Sequence, residues 1–448
     1  MSDVQRPAVE MALEGQRIGG LQLRVALLCA LVQAFDGYDI VSIGMATPAL
    51  IHTWSLPPAS FAQAFVMSSV GILVGALLSG PLSDRVGPKP LIIASTAVIG
   101  VFSLASAFAP SLPVLVALRF FTGIGIGGAM PATVALTSDY APARSRGTFI
   151  MLMFCGNTVG GFLGGQITAR VLPSFGWQAI FLVGGVLPLL LVPVLALALP
   201  ESPRFLLARG AASPQAQRLF AALGIARPSA GAAPEVDIVR GNPVTALFRD
   251  GFARTTVLLW IMFFMGLLDL YMLGYWLPAV LHLSGLTPSD AAFAASMQTA
   301  GGVLSLIALG PLSQRFGAAP VLAVSFALGA VFIAAIGLLA LPHGLLLLAI
   351  FGAGGGTIGS QLAANALCAT LYPARIRSTG IGWALGIGRL GAIVGPALGG
   401  ALLAAGLPPP HIFLFASIGS VVAAIATVMV GLRAPAPQRA VEEPSPGV

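Results

Sequence analysis

Charge is what this sequence holds least of. Only 8% of its 448 residues are Asp, Glu, Lys or Arg, against about 25% in soluble domains. A mean hydropathy of +0.95 goes with that shortage. Repeated apolar runs of span length then exclude a soluble globular chain and point to a multi-pass membrane protein in the lipid bilayer. Cysteine is scarce too: Cys29, Cys155 and Cys368 lie in separate apolar runs without metal-ligand spacing, so they read as small packing residues. The sequence holds no catalytic triad, no metal cluster and no phosphate-binding loop. Neither an enzyme nor an ATP-driven pump is expected, and no cofactor or metal. The formal net charge of +7 is spread along the chain without an aromatic-interleaved patch, so nucleic acid is not an expected partner. Nothing at the N-terminus resembles a cleavable signal, so the first span is expected to be retained.

Apolar runs and glycine are what the chain has in quantity. The 55 glycines make up about 12% of residues against a usual 7% or so, and small residues let membrane helices approach closely. Twelve spans are expected, near 21–48, 61–82, 90–109, 113–138, 148–170, 176–199, 255–281, 290–312, 319–340, 344–370, 379–403 and 410–432. All should be helices, because lipid leaves irregular backbone unsatisfied. The division expected is a cytoplasmic N-terminal segment 1–20, a six-helix bundle 21–199, a cytoplasmic linker 200–254, a second bundle 255–432 and a cytoplasmic tail 433–448. Orientation comes from the arginines: Arg85, Arg144, Arg146, Arg315, Arg375 and most of the remainder fall on one side, while the other side has little besides Arg170. By the positive-inside rule both termini are cytoplasmic.

An internal repeat supports the division. Gly80-Pro-Leu-Ser-Asp-Arg-Val-Gly87 recurs as Gly310-Pro-Leu-Ser-Gln-Arg-Phe-Gly317, and Asp39, Gly44 and Pro48 recur as Asp269, Gly274 and Pro278 at the same spacing. Two parallel halves related by an axis along the membrane normal follow from such a repeat, with substrate bound near the midplane between them.

These residues resemble a known family. Gly80 to Lys89 is similar to the signature loop of the major facilitator superfamily, and Arg119-Phe-Phe-Thr-Gly-Ile-Gly-Ile-Gly127 and Gly160-Gly-Phe-Leu-Gly-Gly165 resemble its fourth- and fifth-helix motifs. Pro200-Glu-Ser-Pro-Arg204 is similar to a segment of its sugar and organic-ion porters. Asp36-Gly-Tyr-Asp39, Trp276-Leu-Pro278 and Gly388-Arg-Leu-Gly-Ala392 resemble the aromatic acid/proton symporters. The chain departs from the pattern at Pro88, Gln314 and the Ala318-Ala319 pair. The resemblance implies an all-α polytopic protein, twelve transmembrane helices in two pseudo-symmetric six-helix bundles. It further implies alternating access, with import of an aromatic carboxylate together with protons, by a monomer. A sugar or polyol porter, a porter of another small organic acid and an exporter of drugs or metabolites share the fold and remain alternatives.

Several side chains carry that chemistry. Asp36 and Asp39 lie three residues apart in the first span, on one helix face, where a carboxylate costs at least about 2.5–3.5 kcal/mol; they are the candidates for proton coupling. Arg119 and Arg389 are the basic residues placed deep in spans. A guanidinium grips a carboxylate through two parallel bonds, so each either binds substrate or is neutralised by an Asp in a structural ion pair. If an Arg holds an Asp ionised in the empty carrier, a substrate carboxylate that takes the Arg leaves the Asp to take up a proton. Asp269, matched to Asp39 by the repeat, is expected to face the cavity or else to pair with Arg389. Tyr38, Tyr271, Tyr275 and Trp383 offer rings for stacking, and Gln361 and Asn365, four residues apart, are span amides that need partners. Gly80, Asp84, Arg85, Gly87, Asp139, Arg144, Arg146, Arg315 and Arg375 sit at helix ends; the resemblance implies a gate of ion pairs there.

Overall fold

The computed structural model describes residues 19–142, 145–208, 243–249, 251–338, 341–372 and 374–432. Among the described residues, twelve helices are long and apolar enough to cross a membrane, and there is no strand. They are α1 (Gly20–Trp54), α2 (Ala62–Val86), α3 (Pro88–Ser106), α4 (Leu112–Tyr140), α5 (Arg146–Phe175) and α6 (Gln178–Ala198). After the short helices Pro203–Ala208 and Pro243–Ala246 come α7 (Ala253–Leu283), α8 (Pro288–Phe316) and α9 (Ala318–Leu338). α10 runs from His343 to Leu371 through a π turn at Gly355–Gly359. α11 (Ala374–Ala404) and α12 (Ile412–Gly431) complete the set.

The expected spans are all present, and α1, α2, α5, α8 and α11 continue a turn or more beyond them. A helix satisfies its own backbone, so it need not stop where the apolar run does. What ends α2 is Gly87, at φ +96°, followed by Pro88 at the first position of α3. Only glycine takes that backbone conformation without cost, and proline tolerates a helix start. Gly317, at φ +89°, ends α8 in the same way. The repeated motif is thus a helix stop used twice.

Packing carries the repeat into three dimensions. α1 lies on α5, α2 on α4 and α3 on α6; six helices later α7 lies on α11, α8 on α10 and α9 on α12. The halves meet through α5 against α8 and α2 against α11, again one relation used twice, and through α1 against α7. Small residues permit this closeness: at Gly37 a methyl group would strike the Asn157 carbonyl of α5. On the outer surface, Ile418, Val421, Ile425 and Val428 form an exposed apolar stripe along α12. The fold answers to lipid there, where no hydrophobic penalty attaches to exposure.

Candidate functional site

The midplane acids of α1 sit in two different settings. Asp39 meets Arg119 of α4: Nη1 donates to Oδ2 at 3.0 Å and to Oδ1 at 3.2 Å. Ser103 of α3 donates to Oδ1 at 2.7 Å, and Arg119 Nη2 donates to Ser106 and Thr122, each at 2.9 Å. The guanidinium also lies 5.0 Å from the centre of the Phe181 ring of α6. Arg119 is 0% exposed, and every partner belongs to the first half. Of the two readings of Arg119, the geometry is that of the ion pair, closed off from the space between the halves.

Asp36 has no such cation among the described residues. Gln33 Nε2 donates to its Oδ2 at 3.2 Å and to Thr133 of α4 at 3.0 Å, and Oδ1 has no hydrogen-bond partner among the described residues. Between the two acids, Tyr38 turns away into α6, its hydroxyl donating to the Ile180 carbonyl at 2.8 Å. Its neighbour Gly37 is the one that reaches the central cavity.

That cavity lies between the halves, with about 580 Å³ of empty space that includes its open mouth. Tyr271 and Tyr275 of α7 line it, their rings 5.7 Å apart, together with Asn157 of α5 and Gln298 of α8. The Gln298 Nε2 amide has no partner among the described residues. Arg389 of α11 does not itself line the cavity but bonds a residue of its wall. Its Nη1 donates to the Tyr271 hydroxyl at 3.1 Å and its Nη2 points at the Met130 sulfur of α4 at 3.1 Å, so it spans the two halves. No described carboxylate lies within ion-pair distance of it, and a thioether is a weak acceptor. The guanidinium is therefore poorly matched as it stands.

Asp269 departs from both expectations for it. It neither faces the cavity nor pairs with Arg389; the carboxylate turns into the α7–α12 seam, where Ser420 donates to Oδ2 and the backbone at Gly419 packs against it. Position in the repeat set its depth, but the partner helix set its direction. Trp383 also departs: it is 42% exposed and stacks on Trp260 at 5.7 Å, on the α11 face shared with exposed Leu390 and Val394. Gln361 is buried against Gly266 of α7, and among the described residues neither of its amide atoms nor Asn365 Oδ1 has a partner; neither residue lines the cavity.

The two ends of the bundle differ. Where α1 and α7 finish, the halves touch: Phe65 of α2 stacks on Tyr275 at 4.9 Å and meets Trp276 edge-on at 5.0 Å. At the opposite end Asp84 and Arg315 are exposed, and neither makes an ion pair with a described residue; Arg85 is exposed beside Asp84 and Gly80 has open space around it. Asp139 accepts from Ser202 and pairs with Arg204 at 3.3 Å, within the first half. Arg146 opens α5 close enough to Asp139 for their charges to interact. A side chain at Gly87 would meet Glu201, whose carboxylate accepts from the Lys89 amide at 3.2 Å. Arg144 and the side chain of Arg375 lie outside the described residues, as do 1–18, 209–242 and 433–448.

Asn157, Gln298 and Met130 were not among the expected site residues. The amides were within reach, since the rule that singled out Gln361 and Asn365 applies equally to them. Met130 carries no signal that separates it from packing.

A twofold-repeated bundle of twelve spans around a central cavity is the architecture of a secondary transporter, and the comparisons agree. The family model of the Major Facilitator Superfamily matches residues 29–286 and 259–447. The chain belongs to that superfamily, as a transporter and not an enzyme. Among its relatives, the 4-hydroxybenzoate transporter PcaK of Pseudomonas aeruginosa is 36% identical over 96% of this chain and 97% of that protein. The gallate transporter of Pseudomonas putida is 37% identical over 94% of each. The crystal structure of a D-xylose-proton symporter matches with a TM-score of 0.71 at 16% identity, covering 92% of this chain and 98% of the other; at that identity it speaks for the fold alone.

Proposed function

We propose that the chain imports an aromatic carboxylate together with protons, by alternating access across the cytoplasmic membrane of a bacterial cell. The observation that carries this reading is Arg389: a midplane guanidinium between the halves, held by a tyrosine hydroxyl and a thioether, beside a cavity walled by two tyrosine rings. A substrate carboxylate replaces the Met130 sulfur on Arg389 with a charge-assisted acceptor, a much stronger bond. The ring lies against Tyr271 and Tyr275. The relatives named for hydroxylated aromatic acids support the substrate class.

Proton coupling falls to Asp36, buried without a cation, where an ionised carboxylate is costly and a protonated one is not. Asp39 is held by Arg119 and keeps α1 against α4. The competition between substrate and Asp for one guanidinium does not operate at Arg119, which the cavity does not reach; substrate takes Arg389 directly. One proton with one monoanion moves no net charge, and each further proton adds about 2.3 kcal/mol per 100 mV. Both termini face the cytoplasm on the positive-inside rule. The contacts at the ends of α1 and α7 then close the outer side, so the conformation is inward-facing. The carrier works as a monomer.

The test is uptake into proteoliposomes of a panel of labelled acids and sugars, with and without an imposed pH gradient. Accumulation of 4-hydroxybenzoate or a close analogue that follows the gradient is expected. Sugar uptake without acid uptake would overturn the substrate class, and acid uptake indifferent to the gradient would overturn the coupling.

A further inference from the structure

The outer ends of α1 and α7 carry one feature that transport does not use. His52 closes α1 and His282 closes α7, and their Nε2 atoms lie 3.0 Å apart across the boundary between the halves, ring centres at 5.1 Å. The two are related by the internal repeat: Pro48-Ala-Leu-Ile-His52 answers Pro278-Ala-Val-Leu-His282. The pseudo-symmetry axis thus brings one imidazole from each half to a common point. His282 is also oriented from behind, its Nδ1 lying 2.8 Å from the Leu286 carbonyl. A carbonyl only accepts, so Nδ1 carries the proton and, in the neutral ring, Nε2 presents its lone pair to His52.

We infer that His52 and His282 form a two-histidine site for a divalent transition-metal ion that ties the halves together at this end. Metal-bound histidines characteristically donate the other ring nitrogen to a carbonyl or carboxylate, which His282 already does. With Zn–N bonds of about 2.0–2.1 Å, two nitrogens at a tetrahedral angle are roughly 3.3 Å apart; the observed separation needs a shift of a few tenths of an ångström. His52 is exposed and moves its proton from Nε2 to Nδ1 through water, so both lone pairs face the ion without a net change of protonation. No third His, Cys, Asp or Glu completes a cluster among the described residues, so water fills the remaining positions. Imidazole donors select zinc, copper and nickel over magnesium and calcium. The ion bridges two helices that must part when the outer side opens, so it acts as a lock. That consequence rests on the alternating-access reading; the binding does not.

The two are separated by measuring both. Purified full-length protein in detergent is titrated with Zn²⁺ by calorimetry, as wild type, His52→Gln and His282→Gln, with Mg²⁺ as control. Zinc binding is expected in the wild type, weakened in each variant by at least the roughly 10–100-fold that loss of an outer-shell partner alone costs, with no magnesium binding. Absent zinc binding, or binding equal in all three proteins, overturns the site. Uptake of 4-hydroxybenzoate is then compared with and without saturating Zn²⁺ outside the vesicles. Zinc should suppress wild-type uptake about tenfold or more and leave each variant's ratio near one. Wild-type uptake unchanged by bound zinc overturns the lock and not the site. Wild type that moves no aromatic acid even without zinc sinks the transport reading, and the calorimetry still decides the site.

Discussion

α1 and α7 occupy equivalent places in the two halves and carry an aspartate at the same repeat position, yet the two acids are managed in opposite ways. Asp39 is neutralised by Arg119 and fixed by Ser103. Asp269 has no cation among the described residues and rests on the Ser420 hydroxyl. The reason is visible in α10: at an offset of 229 or 230 the counterpart of Arg119 is Leu348 or Ala349, apolar either way. The second half places its mid-helix guanidinium on α11 instead, as Arg389, bonded to the cavity-lining Tyr271. A repeat therefore preserves which helices touch while leaving the charges free to diverge. In this chain the first half uses its arginine to hold helices together, and the second leaves its arginine available.

Breaking the buried pair gives the largest effect. Arg119→Gln strands Asp39, whose side chain is 1% exposed, and removing one member of a buried pair costs about 3–5 kcal/mol. The variant should express poorly and melt well below wild type by detergent thermal scanning, and Asp39→Asn combined with it should recover most of the loss. Arg389→Gln should do the reverse. Yield and melting stay near wild type, because Tyr271 and Met130 lose only weak contacts, while uptake falls roughly 100-fold for want of the carboxylate partner. If the two arginines exchange these phenotypes, the division of labour between the halves is wrong.

Asp36→Asn comes next. Asparagine still accepts from Gln33 but takes up no proton. Under an inward gradient of one pH unit, the roughly tenfold accumulation that one coupled proton sustains should collapse to none. Counterflow of substrate across the membrane should survive. Persistent gradient-driven accumulation moves the coupling proton elsewhere.

The sequence disclosed the fold more readily than the site. Twelve spans stand out because lipid permits almost no charge within them, and Gly80–Gly87 with its copy Gly310–Gly317 reveals the repeat without any structure. Position along the helix was legible as well: Asp36, Asp39, Arg389 and Asp269 all lie near the middle of their spans. Direction was not, since a residue one step along a helix turns by about 100°. Tyr38 thus enters α6 while Gly37 meets the cavity. For Asp269 the deciding partner was Ser420, 151 residues away. Trp383 was legible as a large ring, and only its packing on Trp260 shows which face it takes.

The smallest effect is expected at Asp269, the repeat counterpart of Asp39. Asp269→Asn keeps a carbonyl oxygen to accept from Ser420 and strands no cation among the described residues. A neutral–neutral hydrogen bond replaces the present one, so the cost should stay below about 1.5 kcal/mol. Uptake, and its dependence on the pH gradient, should stay within about threefold of wild type. Asp39→Asn, at the same repeat position, leaves the Arg119 guanidinium buried without its counter-charge and should cost about 3–5 kcal/mol. The pair of variants, scored side by side for melting temperature and for gradient-driven accumulation, thus measures how far the halves have diverged. Equal loss of stability would mean that Asp269 has a cationic partner in some other conformation. Loss of coupling at normal stability would make Asp269 a second proton site, and the chemistry of the two halves would then be as symmetric as their packing.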